Sequence, residues 1–128
     1  MSLRSPLARV LGKGSAKEGT EHWWMQRVTA AGLLILGLWF LVSFAGIDAI
    51  TRASLAAWAA DPLTAGMLLA LGLTLAWHSS LGVQVVIEDY VHGPALKVTA
   101  LVLNRFAHVA LGIGALLAAL KLVLGDVA

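Results

Sequence analysis

Four histidines, His22, His78, His92 and His108, and no cysteine set the chemistry open to this chain. Without cysteine there are no disulfides, thiolate zinc sites, iron–sulfur ligands or Cys nucleophile, and the redox compartment is left open. His78 is the most informative of the four, because it stands within Leu63 to Ile87, a stretch with no charged residue. An ionisable group at membrane depth is costly and needs a partner or a purpose. A neutral imidazole is a good axial ligand for haem iron. Gly82 follows one turn later on the same face, where a small residue lets a flat ligand or another helix come close. The competing reading is a histidine hydrogen-bonded to a neighbouring helix.

His108 competes for the same role. His78 lies about nine residues before the end of its apolar stretch, and His108 about ten into the next one. In antiparallel helices the two rings reach similar depth, so one haem held by both is geometrically feasible. The alternative for His108 is a packing hydrogen bond, with Asn104 one turn away. Arg105, also one turn from His108, could snorkel to the interface, pair with a neighbouring chain, or hold a cofactor carboxylate.

A second group of polar residues is Glu88-Asp89-Tyr90-Val91-His92. Asp89 comes eleven residues after His78 and so returns close to the same helical face at about 100° per residue. Tyr90 combines a hydrogen-bond donor with an apolar body, which suits a quinone head group. A quinone takes up protons on reduction, and Asp89 and His92 could relay them. A capped, solvated helix end with an interfacial tyrosine explains the same residues.

The elements that must hold these groups follow from charge. Of 128 residues, 59% are hydrophobic and 12% charged, with a mean hydropathy of +0.86. A soluble domain carries about 25% charged residues, and a chain this short needs them to cover its surface. A free soluble globule and a disordered tail are excluded. The net charge of +2 is too small for a nucleic-acid binder. Val28–Ile47, Leu63–Ile87 and Val98–Leu124 each reach or exceed the roughly 20 helical residues that cross a bilayer core. They are continuous and long, unlike barrel strands. The expectation is an all-α membrane protein, one domain over 1–128, with a basic arm at 1–25 and spans at about 26–47, 63–88 and 96–124.

Pro62 after Asp61 opens the second span, Pro94 after Gly93 separates the second from the third, and Gly125 stands at the expected end. Arg4, Arg9, Lys13 and Lys17 precede the first span with Arg27 at its mouth, whereas the Asp48–Asp61 loop has only Arg52. This bias places the N-terminus in the cytoplasm. Trp23, Trp24, Trp58 and Tyr90 fit an interfacial belt. Trp39 and Trp77 lie deeper and are expected to face another helix or a cofactor. The arm is short for a transit peptide and has no apolar core of a secretory signal.

Two strings carry a resemblance. One is His22-Trp23-Trp24-Met25-Gln26-Arg27, after Arg4-Ser5-Pro6-Leu7 and Gly14-Ser15-Ala16-Lys17-Glu18-Gly19-Thr20. The other runs from His78 through Gly82 and Gln84 to Asp89-Tyr90-Val91-His92. Together they resemble the small hydrophobic membrane-anchor subunit of succinate dehydrogenase (respiratory complex II) of alpha-proteobacteria and mitochondria. The resemblance covers nearly the whole chain. It departs from the pattern at Ser79 and Ser80, where family members often carry bulkier or basic residues.

The resemblance implies a helical bundle shared with a second anchor subunit, under an iron–sulfur subunit and a flavoprotein subunit. FAD and the iron–sulfur clusters belong to those partners, so this chain alone has no succinate-oxidising site. His78 is implied as one axial ligand of haem b, the other coming from the second anchor, which disfavours His108. Arg27 is implied near a haem propionate, Tyr90 as hydrogen-bond donor to ubiquinone, and Asp89 beside it for proton delivery. His22 is given no role. The implied location is a bacterial inner membrane, before a mitochondrial one. The rival readings are a purely structural membrane adaptor and a small cytochrome b acting alone through His78 and His108.

Overall fold

The computed structural model describes residues 19–124. The basic residues of the arm up to Lys17, and Gly125, lie outside the described residues. Four helices follow one another: α1 (Gly19–Ala45), α2 (Arg52–Ala60), α3 (Pro62–Tyr90) and α4 (Pro94–Leu124). α1, α3 and α4 are each long and apolar enough to cross a membrane. The protein is all-α with three membrane-spanning helices.

Two boundaries differ from the sequence expectation. α1 begins at Gly19, so His22-Trp23-Trp24 belong to the helix and not to an arm ending at residue 25. A charge such as Arg27 marks the edge of the apolar stretch, but a helix continues through it. The Asp48–Asp61 connection also holds a helix. Thr51 caps α2 by accepting from the Ser54 backbone N–H, and Ser54 returns the bond to Thr51 N. That reciprocal pair satisfies two donors that a helix start leaves open. The indole of Trp58 on α2 donates to Ser43 Oγ at 2.9 Å and packs edge-on against Phe40 and Phe44 of α1.

Asp61 then caps α3, accepting from the Thr64 backbone at 2.9 Å, with Pro62 in the first turn. The Thr64 backbone N–H, then its hydroxyl, hold the Asp61 carboxyl below its usual range.

α3 lies between the other two spans. It packs on α1 and on α4, whereas α1 and α4 do not pack on each other among the described residues. Contacts run in opposite senses along each pair. Gln26, Thr29 and Gly32 of α1 meet Gly82, His78 and Thr74 of α3. Ser80, Leu73 and Gly72 of α3 meet Asn104, Gly112 and Ala115 of α4. Both pairs are therefore antiparallel, and the start of α1, Tyr90 and Pro94 lie at one end of the bundle.

Small residues bring the helices together. Lipid tails are as apolar as leucine, so close packing and hydrogen bonds, not hydrophobic burial, hold membrane helices. The buried residues match: Ala65, Ala76, Leu81 and Ala119, with Thr29, Thr64 and Ser80. Large apolar side chains such as Leu34, Ile35, Val42 and Leu103 point outward. A Cβ on Gly72 would stand 3.1 Å from the Ala115 Cβ, closer than side-chain carbons ordinarily approach. Gly72→Val should therefore cost about 1–3 kcal/mol by overpacking. Gly37, with nothing within 4 Å, serves as the control. Unfolding of the two valine variants in detergent checks this; equal midpoints would contradict it.

Candidate functional site

The site begins on the face that α1 turns to α3. His22, Gln26 and Thr29 are spaced four and three apart, which puts them on one face. Opposite them stands His78. Its Nδ1 is 2.9 Å from the Thr29 hydroxyl, and its Nε2 is 3.4 Å from the Gln26 amide nitrogen. Thr29 is buried at 7% exposure, so this bond is sheltered.

The tautomer of His78 follows from donor counting. A threonine hydroxyl has one proton. Thr29 Oγ1 lies 2.7 Å from the Met25 carbonyl and 3.2 Å from that of Gln26, two acceptors on its own helix. Neither carbonyl can donate, and the nearer one at 2.7 Å is the shorter of the contacts open to the hydroxyl proton. With the proton there, the oxygen accepts, which assigns the N–H to Nδ1 of His78. Nε2 keeps its lone pair. The Gln26 contact at 3.4 Å is at the long limit of a hydrogen bond.

Two further atoms on this face are buried without a hydrogen-bond partner: His22 Nε2 and Gln26 Oε1. Buried polar atoms are almost always paired. Two orphans beside a histidine lone pair leave polar capacity for a ligand. Arg27, next to Gln26, is exposed and stacks over the Trp23 ring at 5.4 Å.

Between α3 and α4 runs a groove of about 640 Å3 that also reaches Thr29 of α1. Leu73, Ala76, Trp77 and Ser80 form its α3 side, and Arg105 and His108 belong to its α4 side. Trp77 borders this groove and is 54% exposed. Asn104 donates to the Ser80 carbonyl at 3.0 Å, and His108 Nδ1 is 2.8 Å from the Asn104 carbonyl. The His108 contact lies within α4, from the ring to the backbone one turn back, and is not a bond between helices. His108 lines this groove together with Thr29, the partner of His78, while His78 itself is not among the lining residues.

At the end of α3 the backbone is closed off. Val91 N–H bonds the Ile87 carbonyl, Lys97 Nζ donates to the Glu88 carbonyl at 2.8 Å, and His92 Nδ1 lies 3.0 Å from the Tyr90 carbonyl. Glu88 accepts from Gln84 at 2.8 Å. Asp89 and Tyr90 are exposed, Tyr90 at 76%, and their side chains make no hydrogen bond among the described residues.

Sequence reasoning singled out His78, Arg27, Asp89 and Tyr90 but missed Thr29 and Gln26. The signal was present: His22-x-x-x-Gln26-x-x-Thr29 is a polar stripe at helical spacing.

Fold and site define a small multi-pass membrane subunit with a preset imidazole between two of its spans. Residues 1–120 match the family of succinate dehydrogenase/fumarate reductase transmembrane subunits. A succinate dehydrogenase hydrophobic membrane anchor subunit of Rickettsia bellii is 34% identical over 100 residues, 77% of this chain and 79% of that one. The same-named subunit of Paracoccus denitrificans is 29% identical over 93 residues, 73% and 72% of the two chains. The membrane anchor subunit of Reclinomonas americana is 32% identical over 92 residues, 70% and 77%. No solved structure is a significant match. The chain belongs to this family, among the hydrophobic membrane anchors of succinate dehydrogenase.

Asn104 ties the apolar stretch of α4 to that of α3 through a side-chain hydrogen bond. Asn104→Leu should weaken the helix pair by about 1 kcal/mol, measured by unfolding in detergent. Unchanged or raised stability would mean that the unpartnered Asn104 Oδ1 cancels the bond.

Proposed function

We propose that this chain anchors succinate dehydrogenase in the membrane and contributes half of a haem b site and part of a ubiquinone site. The observation that carries the haem reading is the 2.9 Å contact of His78 Nδ1 with Thr29 Oγ1, which assigns the N–H to Nδ1 and leaves the Nε2 lone pair for iron. The unpartnered His22 Nε2 and Gln26 Oε1 beside it fit a ligand with polar groups, so the residues present suit a haem. Arg27, at the same end of α1, carries the positive charge for a propionate. Bound haem would supply a reversible one-electron carrier.

In this reading the other anchor of the complex would supply the haem's second protein ligand. The flavoprotein and iron–sulfur subunits dock over the end of the bundle bearing Tyr90. Tyr90 donates a hydrogen bond to a quinone carbonyl, and Asp89 delivers protons to the same head group. Their exposure supports this, because both side chains are uncommitted within the chain. The location that follows is a bacterial inner membrane with the N-terminus in the cytoplasm, which the basic residues before α1 support. The single-chain cytochrome has less support, since His78 is not among the residues lining the groove that His108 borders.

In the assembled complex, His78→Ala should abolish or displace the haem Soret band, while His108→Ala leaves it in place. An unchanged band in the His78 variant would leave the purely structural anchor as the better account. Tyr90→Phe should lower quinone reduction by about tenfold, the effect of losing one hydrogen bond of about 1.4 kcal/mol. Succinate oxidation with an artificial dye should stay near normal. Equal loss of both activities would point to an assembly role for Tyr90.

A further inference from the structure

We propose that Thr29 is a positioning residue for His78: its hydroxyl fixes the ring in the Nδ1–H tautomer and aims Nε2 at the haem iron. The proposal rests on the haem reading of His78 and deepens it. The physical case is the relay Nδ1–H to Thr29 Oγ1, and Thr29 O–H to the Met25 carbonyl, with heavy-atom distances of 2.9 and 2.7 Å. The helix backbone is thus the final acceptor, and it cannot reverse the chain by giving back a proton. In water the ring would be free to exchange tautomers. In a span it exchanges only if the second nitrogen finds a donor or acceptor of its own, and the Gln26 amide at 3.4 Å is a weak one.

Three consequences follow for the ring. Its orientation about χ2 is set by a bond to a buried threonine whose hydroxyl is itself tied to its own helix backbone. The nitrogen left without the proton is the one farther from the backbone, with the Gln26 amide 3.4 Å away. A ring whose N–H is engaged by an acceptor is also a more basic ligand, which favours the oxidised metal. Thr29 therefore bears on potential as well as geometry. It touches neither iron nor quinone in this arrangement and acts only through His78.

Two readouts test this. In the full chain labelled with 15N-histidine, reconstituted without haem, the His78 ring nitrogens should show the Nδ1–H pattern in wild type and in Thr29→Ser. In Thr29→Val, which keeps the shape and removes the hydroxyl, the ring should shift toward the Nε2–H form. In the assembled complex, Thr29→Val should raise the haem reduction potential and lower haem retention by about tenfold. Thr29→Ser should restore both. A His78 ring that stays Nδ1–H in the valine variant overturns the proposal, as does a serine variant that behaves like valine. A tautomer that shifts as expected, with haem potential and retention unaltered, instead overturns the ligand reading of His78, and with it the role of Thr29 toward haem.

Discussion

The hydrocarbon core offers no water, so every polar group within it must be satisfied by protein or ligand. That constraint decides how the spans of this chain meet. An imidazole in the middle of α3 needs a partner on an adjacent span, and the Thr29 hydroxyl of α1 supplies it at 2.9 Å. Asn104 of α4 does the same toward the Ser80 carbonyl on the other side. Two polar contacts thus fix two antiparallel helix pairs at defined registers. Small residues could not do this alone, because alanine and glycine permit close approach at several registers and select none.

α3 is consequently the element on which the others depend. It is covered by α1 on one side and α4 on another, and α2 packs against it as well as against α4. Its start is set by the Asp61 cap and Pro62, and its end by the Val91-to-Ile87 bond. The carboxylate of Asp61 binds its proton less readily in the folded chain than in the unfolded one. Its stabilising effect is complete above the ordinary aspartate pKa of 3.8 and fades as pH falls through the lower folded value. At neutral pH the cap is fully formed, and the phase of α3, hence the direction of His78, is fixed from its first turn.

Much of this was legible in the sequence, for a physical reason. Charge is so expensive in lipid that its absence over twenty residues defines a span, and the isolated appearance of an ionisable group, as at His78, marks a site. The spans, the antiparallel order and the Asp89–Tyr90 end could be read that way. The start of α1 could not, because Arg27 bounds the apolar stretch while the helix reaches back to Gly19. α2 was missed because nine residues between two caps carry little periodic signal, although Thr51 and Ser54 are a legible pair. Thr29 was missed because a threonine in a span can satisfy itself on its own helix. Only its position opposite His78 gives it a second partner, and that is a property of the packed pair.

The two halves of the proposed site differ in how complete they are within this one chain. On the proposed haem side, His78 is already held by a part-buried bond, so little ordering would remain for a ligand to impose. On the quinone side, the backbone carbonyls near Tyr90 are occupied by Lys97 and His92, while the phenol and the Asp89 carboxylate remain exposed. A phenol standing in water discriminates poorly between water and a quinone carbonyl, because the exchange of hydrogen bonds is nearly even. It gains selectivity only once neighbours exclude water from it. This chain's share of the proposed haem site can therefore be specified largely by α1 and α3, whereas the proposed quinone half needs the surface of another chain to close over the end of the bundle. The chain places Tyr90 at the end of α3, and in that reading its partners supply the dryness.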